Sequence, residues 1–495
     1  MKLTEEQQAI ISATPPPGGS LLVTAFAGTG KTFTLQKYAE ERPADKILYA
    51  AFNKAIQLEA ERKMPVNVTS RTTHSLAYRA CAIPYQKAGL LRGYVPLWAV
   101  AKMLETNIVI ANFALSVVGR FIASPDPVIT EDHISGEIHE YYADAEYTPP
   151  FVEMARLIWD DMKSLKPRSL PMTHDGYLKL YQLSGPELRF DYILLDEAQD
   201  TTPAVWDIMV NQSCRKIVVG DPHQAIYGWR GAIDALDLVD GAENLYLSQS
   251  FRFGPEVAAL ASTMLRRFKG EKNELRGFEA LDTKVMLGGR PDRRTMLCRG
   301  NIHIFRSAAT ECQYGKNNLG FVGGDFRNYR FQTVLDAYHV FNEEPDMAKD
   351  ALIKSFDTFE ELLEFAGKTK NNELEGACQL VEEYGARVPI IFQEVKARDV
   401  GAKFGALVFA TGHKAKGMEF PVVEIASDFA ARIEAHRERP DLQIMNAHEI
   451  NLLYVAITRA TEQLYLAPSI KDFIETGTIR NMPNTTPETT PIDVN

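Results

Sequence analysis

Short apolar runs that end abruptly in polar residues punctuate this chain. LLVTA (21–25) leads into the glycine turn AGTG and then into KTFTLQKYAEE, which predicts a buried strand, a tight turn and a helix in succession. KILYAAF (46–52), the apolar start of YILLDEAQD (192–200) and KIVVGD (216–221) repeat the theme. Strands that alternate with helical stretches predict a parallel sheet whose functional residues gather at the strands' carboxyl ends. A second series, ALVFATG (406–412), PVVEIASDF (421–429) and LYLAP (464–468), predicts a second α/β core.

The series is interrupted twice. Residues 81–170 are rich in helix-forming sequence, Tyr and Trp, and residues 304–390 are helical and acidic, as in TFEELLEFAGK. The pattern therefore predicts an α/β protein in which 1–80 and 171–248 make a first core with 81–170 inserted. Residues 249–303 and 391–475 make a second core carrying 304–390 as a shorter insertion. The Pro/Thr-rich stretch 476–495 is expected to be a disordered tail.

Composition narrows the class. A chain of 495 residues with 45% hydrophobic and 24% charged residues suits several compact cores. No apolar run reaches the length of a membrane span, so no membrane partner is expected, and the polar, acidic MKLTEEQQAI predicts no secretory leader. Five scattered cysteines, without CxxC or Cys/His spacing, point to a reducing compartment and to neither zinc nor a disulfide framework. The net charge of −11 argues against a protein that coats nucleic acid, yet it leaves room for a local basic channel. RRFKGEKNELR (266–276) and GGRPDRR (288–294) are candidates to line one; the alternative is a solvated surface.

Three stretches carry chemistry. AFAGTGKT (25–32) fits the phosphate-cradling pattern with Ala25 in the first glycine's place: Gly28 and Gly30 free the backbone around Ala27 and Thr29 to face phosphates, Lys31 reaches the terminal ones, and Thr32 offers a hydroxyl to Mg²⁺. A plain strand-to-helix turn is the alternative. In ILLDEAQD (193–200), Asp196 is the expected metal partner and Glu197 the group that orients or deprotonates water. An acidic pair after a strand can also simply serve a helix N-terminus. In GDPHQAIYGWRGA (220–232), Gln224 lies where it could sense the terminal phosphate, while Tyr227 and Trp229, beside Arg230, could stack on bases or fill a core. Arg252 and Arg459, on the second core, are either solvated or arginines that stabilise charge during phosphoryl transfer.

Together LTEEQQ, AFAGTGKT, AAFNKA, TTHSLAY, DEAQD, GDPHQAIYGWRGA, SQSFRFG, HKAKGMEF and YVAITRA stand in an order that resembles superfamily-one DNA helicases of the UvrD/Rep type. Within that group FAGTGKT, MTHDGYLKL, GDPHQ, QSFRFG, HKAKG and NLLYVA look most like the helicase module of the F-box DNA helicases, without an F-box. The resemblance runs from about residue 3 to 470. It implies two RecA-like P-loop NTPase cores with ATP and Mg²⁺ between them, and ATP-driven movement along single-stranded DNA, usually three-prime to five-prime.

Carried across, it implies Gln7 as the adenine reader, Phe251 stacking near the base, and Glu419 approaching the ribose. Gln224, Arg252 and Arg459 would contact the terminal phosphate. DNA would be held by Phe52, Asn53, Thr73, His74, Tyr227, Trp229, Arg230 and His413. The implied partners are single-stranded DNA, its junctions with duplex, and proteins of repair, recombination or defence. The expected location is cytoplasmic for a bacterial or viral relative and nuclear for a eukaryotic one. Two rival functions stand beside this one: a translocase that displaces proteins without separating strands, which shares every motif, and a DNA-dependent switch that uses ATP only to change shape, against which the set Glu197, Gln224, Arg252 and Arg459 argues. A P-loop kinase would need an acceptor pocket and lid, and nothing here replaces the second core's motifs.

Overall fold

The computed structural model describes residues 2–143, 145–228, 231–239, 241–289, 291–429, 431 and 443–476. Two compact units emerge. The first comprises Met1–Leu247 with Phe326–Ala397, and the second Ser248–Asp325 with Arg398–Asn495. The tail expected over 476–495 lies, beyond residue 476, outside the described residues.

The first unit is built on a sheet of six parallel strands: β1 (Ser20–Ala25), β2 (Ile47–Ala51), β3 (Val68–Thr72), β4 (Tyr192–Leu195), β5 (Arg215–Gly220) and β6 (Glu243–Leu247), in the order β3-β2-β4-β5-β1-β6. Strands buried on both faces read as unbroken apolar runs, and β2 and β4 are buried along their whole length. Helices Glu5–Ser12 and Lys31–Glu40 contribute Ile10, Leu35 and Tyr38 to the core with Val23, Ile47, Leu194 and Ile217. All six strands point their carboxyl ends the same way, which brings the ends of β1, β2, β3, β4 and β5 to one edge of the sheet.

The helices of the first insertion follow β3. Ile108–Ala123 buries Ala111, Phe113, Val117, Val118 and Phe121, and it packs on Phe151–Lys163. At its end, the buried Lys179 ammonium donates to the carbonyls of Ser124 and Asp126, both at 2.7 Å. That contact ties the insertion to helix His174–Leu183.

The second unit carries its own six parallel strands: β7 (Lys284–Leu287), β8 (Arg294–Cys298), β9 (Leu319–Phe321), β10 (Leu407–Thr411), β11 (Phe420–Ile425) and β12 (Ala460–Leu466), ordered β7-β12-β11-β8-β10-β9. Here the structure differs from the sequence pattern. Helix Asn301–Tyr314 and β9 belong to this second unit, so the insertion begins near residue 326 and not at 304. Its helices, among them Phe331–Phe341, Phe359–Lys368 and Asn372–Tyr384, group with the first unit. Phe365 lies 6.0 Å, ring to ring, from both Phe113 and Tyr141, and Lys370 pairs with Glu140 at 2.7 Å. Periodicity announces an apolar helix face but not which surface it will cover.

The cluster GGRPDRR also proves partly structural: Arg294 is buried in β8 and ion-paired with Glu424 of the adjacent β11. Among the described residues no single helix is long and apolar enough to cross a membrane.

Candidate functional site

At the end of β1 the chain turns through Gly28 (φ 75°) and Gly30 (φ 76°), left-handed conformations that suit glycine, and Gly30 starts helix Lys31–Glu40. Thr29 steadies the loop by donating its hydroxyl to the Phe26 carbonyl at 2.9 Å. Lys31 Nζ then stands 3.1 Å from both carboxylate oxygens of Glu197, beyond the end of β4. Next to it, Thr32 donates to Asp196 Oδ2 at 3.1 Å, and the same oxygen accepts the Tyr49 hydroxyl at 2.6 Å.

Burial pulls the Lys31 ammonium down, but Glu197, Asp196 and Asp221 outweigh it and hold the pKa above the ordinary lysine value. For Asp196, burial and then neighbouring Glu197 push the carboxyl up, against Lys31 and the Tyr49 hydroxyl. A lysine facing a cluster of acids in this way is prepared to exchange them for another anion.

Glu197 itself adopts φ 55°, a left-handed conformation uncommon outside glycine. Such strain persists where the surroundings hold it. Gln199, 1% exposed, supplies part of that hold: its amide nitrogen donates to Glu197 Oε2 at 2.6 Å, and its oxygen accepts the backbone N–H of Asp221 at 3.0 Å. Asp221 in turn accepts Gln224 Nε2 at 2.6 Å and the His223 backbone N–H at 3.0 Å. The His223 ring stacks on Phe26, 5.7 Å away and 10° from parallel. A side chain at Gly220 would meet Gln199 Oε1 at 2.7 Å, so the close approach of β5 depends on glycine there.

Gln7 is buried in the opening turn of helix Glu5–Ser12, its oxygen accepting the Thr4 backbone N–H at 3.1 Å in a capping box.

On the same sheet edge lies a cavity of about 470 Å³. Phe52 and Asn53 enter it from just past the end of β2, Thr73 and His74 from just past β3, Asp196 from just past β4, and Tyr227 from the loop after β5; Val118 and Ile122 close it from the insertion. Phe52 and Tyr227 stack at 5.8 Å and 19°. Asn53 caps helix Lys54–Lys63 by accepting the Ile56 N–H at 2.9 Å, and His74 Nε2 meets Asp175 at 2.9 Å. The structure thus gathers Phe52, Asn53, Thr73, His74 and Tyr227 around one space. Trp229 and Arg230 lie outside the described residues.

In the second unit, Arg252 Nε donates to Glu419 at 2.7 Å and Nη1 to the Thr458 carbonyl at 3.3 Å. Arg459, 1% exposed, is drawn into its own unit, with Nε on the Val455 carbonyl at 2.8 Å and Nη2 on the Thr458 hydroxyl at 3.1 Å. Arg252, Glu419 and Arg459 therefore form one neighbourhood. Phe251 packs against Phe278 at 5.6 Å, and His413 stands in the short turn after β10.

Tyr49, Gln199, Asp221 and His223 escape the sequence reading. Gln199 and Asp221 sit inside motifs already noted, but nothing in their spacing reveals that one bonds the other.

Comparison with known proteins matches residues 176–236 to the UvrD/REP helicase N-terminal domain and residues 406–467 to the UvrD-like helicase C-terminal domain. The chain thus carries matches to both the N-terminal and the C-terminal domains of UvrD/REP-type helicases. It is 35% identical to F-box DNA helicase 1 of Gallus gallus over 96% of this chain and 50% of that protein. It is 30% identical to F-box DNA helicase protein 1 of Schizosaccharomyces pombe over 97% of this chain and 59% of that protein. The ATP-dependent DNA helicase PcrA of Bacillus subtilis is 25% identical over 54% of this chain and 40% of its own length. The chain spans about half the length of the F-box relatives it matches. The two six-stranded parallel sheets agree with the two RecA-like cores that the sequence resemblance implies.

Proposed function

We propose that the chain is an ATP-dependent DNA helicase that hydrolyses ATP at the Lys31 loop and tracks along single-stranded DNA with three-prime to five-prime polarity. One observation carries this reading: Asp196 bonds Thr32 behind the phosphate loop and also lines the cavity that holds Phe52, Thr73, His74 and Tyr227. A change at the phosphates is one side chain away from the space where bases would lie. The polarity rests on family resemblance.

In this reading Lys31 leaves Glu197 for the terminal phosphates, and the freed carboxylate orients the attacking water and takes its proton. Gln199 fixes the carboxylate's other oxygen, and Gln224, released from Asp221, reports the γ-phosphate to the loop that carries Tyr227. Gln7 reads the adenine. Arg252 and Arg459 are assigned to the charge of phosphoryl transfer, for which each must leave its present partners.

The Thr32 hydroxyl and the Asp196 carboxylate fit Mg²⁺, being two hard oxygen donors 3.1 Å apart. No group of three or more His, Cys, Asp or Glu among the described residues could hold a metal alone, which suits an ion that completes its shell with phosphate oxygens and water. Bound there, Mg²⁺ would neutralise charge on the phosphate oxygens.

The test is unwinding of duplexes with a single-stranded tail at one end or the other, with and without a protein block, alongside ATP turnover. ATP-dependent strand separation from the three-prime tail is expected. Turnover that ignores single-stranded DNA would overturn the reading. Removal of the block without strand separation would replace it with that of a protein-displacing translocase.

A further inference from the structure

Between residues 72 and 104 the chain carries Arg79, Lys87, Arg92 and Lys102 and no Asp or Glu, in a protein whose net charge is −11. All four cations are exposed, and none takes part in an ion pair among the described residues. Some surface lysines elsewhere are neutralised by an adjacent acid, as Lys37 is by Glu40 and Lys63 by Glu59. A local excess of unpaired positive charge on an acidic protein raises the potential where it lies and attracts a polyanion.

The same stretch exposes two large rings. Tyr94 is 72% and Trp98 63% exposed. Trp98 and Lys102 lie one turn apart on helix Leu97–Met103, hence on one face of it. Tyr94 lies between Gly93 and Val95, both of which line the 470 Å³ cavity, so the aromatic surface begins at the cavity's rim. The chain just before it is tied down: Met172 accepts the Arg92 N–H at 3.0 Å and donates its own to the Leu90 carbonyl at 2.8 Å. Large aromatics left in water on a loop and on the helix that follows it, with unpaired cations on the same stretch of chain, match the chemistry of single-stranded nucleic acid, whose bases stack on rings and whose phosphates want cations.

We infer that Tyr94 and Trp98, with Arg92 and Lys102, form an additional single-strand contact at the rim of the cavity, extending the path from the space that holds Phe52 and Tyr227. The inference rests on the proposed function and adds a place on the first insertion where bases stack outside that cavity. Because stacking rings accept any base, the contact would lengthen the footprint without imposing a sequence.

The test uses the full chain and a fluorescein-labelled oligothymidylate long enough to run past the cavity. Tyr94→Ala with Trp98→Ala should weaken binding about tenfold or more, whereas Tyr94→Phe with Trp98→Phe should restore most of it. Arg92→Gln with Lys102→Gln should reduce the slope of log affinity against log salt by about 1.4, the value for two lost phosphate contacts on a single strand. ATP turnover without DNA and the thermal midpoint should stay at wild-type values in every variant. Wild-type affinity and salt slope in the alanine and glutamine variants would overturn the inference while leaving the proposed function standing. Failure of the unaltered protein to bind the oligonucleotide would overturn both.

Discussion

The side-chain amide of Gln199 donates to Glu197 Oε2 at 2.6 Å. Because the same side chain accepts the Asp221 N–H, the acid after β4 and the loop after β5 share one buried anchor. Gln199→Ala removes a hydrogen bond to a charged group, worth about 1.5–3 kcal/mol, and should lower kcat by about ten- to a hundredfold with little change in the KM for ATP. Steady-state kinetics check the split; a rise in KM with kcat intact would mean that Gln199 serves binding.

Lys31→Ala deletes the cation that faces Glu197, Asp196 and Asp221. ATP turnover should fall by about 10²–10³-fold or more, as when a preorganised charge partner of a reacting group is lost. A phosphate-release assay, with and without single-stranded DNA, measures it. The variant should still bind oligonucleotide, because Phe52, His74 and Tyr227 do not depend on Lys31.

Tyr227→Ala takes away the ring stacked on Phe52. Loss of one stacking platform costs about 1–3 kcal/mol per base, so the DNA concentration for half-maximal stimulation of turnover should rise by about five- to a hundredfold while basal turnover holds. Trp229→Ala is expected to behave likewise. Equal effects on basal and stimulated turnover would show that the loop is only a structural element.

Asp234 offers a pH test. Burial, then Asp237 and Asp221, push its carboxyl up to about 6, against the Leu236 N–H bond and His223. In the unfolded chain it titrates near about 3.9, so between these values the folded protein binds more protons. Its contribution to stability is therefore fully present below pH about 3.9 and lost as pH rises through about 6. Asp234→Asn keeps an acceptor for the Leu236 N–H and should flatten this loss, leaving the variant about 1–2 kcal/mol more stable than wild type at pH 7 once solvent screening of the partly exposed site is allowed for. Denaturant unfolding at a series of pH values would show it; parallel profiles would remove Asp234 as the source.

The sequence made the centre of each core readable and its margins much less so. β4 and β5 stand out because a parallel strand covered on both faces must be apolar throughout, and the acids and glycines at their ends then mark the site. β3 is VTSRT and β9 only LGF, one too polar and the other too short to announce itself. The phosphate loop was legible because its glycines are required by backbone geometry that leaves a trace in the letters. Glu197's left-handed backbone left none, and neither did the Gln199 bridge, whose bond to Asp221 joins segments 22 residues apart. The sequence marks Arg459 as a contact to the terminal phosphate but gives no sign that its guanidinium is folded against carbonyls of its own unit. A cation's partners are chosen in three dimensions.

The placement of Phe365 against Phe113 and Tyr141 bears on how the protein can be taken apart. Each lobe is stitched from two separated stretches of polypeptide, so truncation after residue 247 would strip away the 326–397 helices and lay bare an oily face. Dissection calls for rewiring the chain, by joining 247 to 326 through a linker, and a simple cut should yield an aggregating fragment.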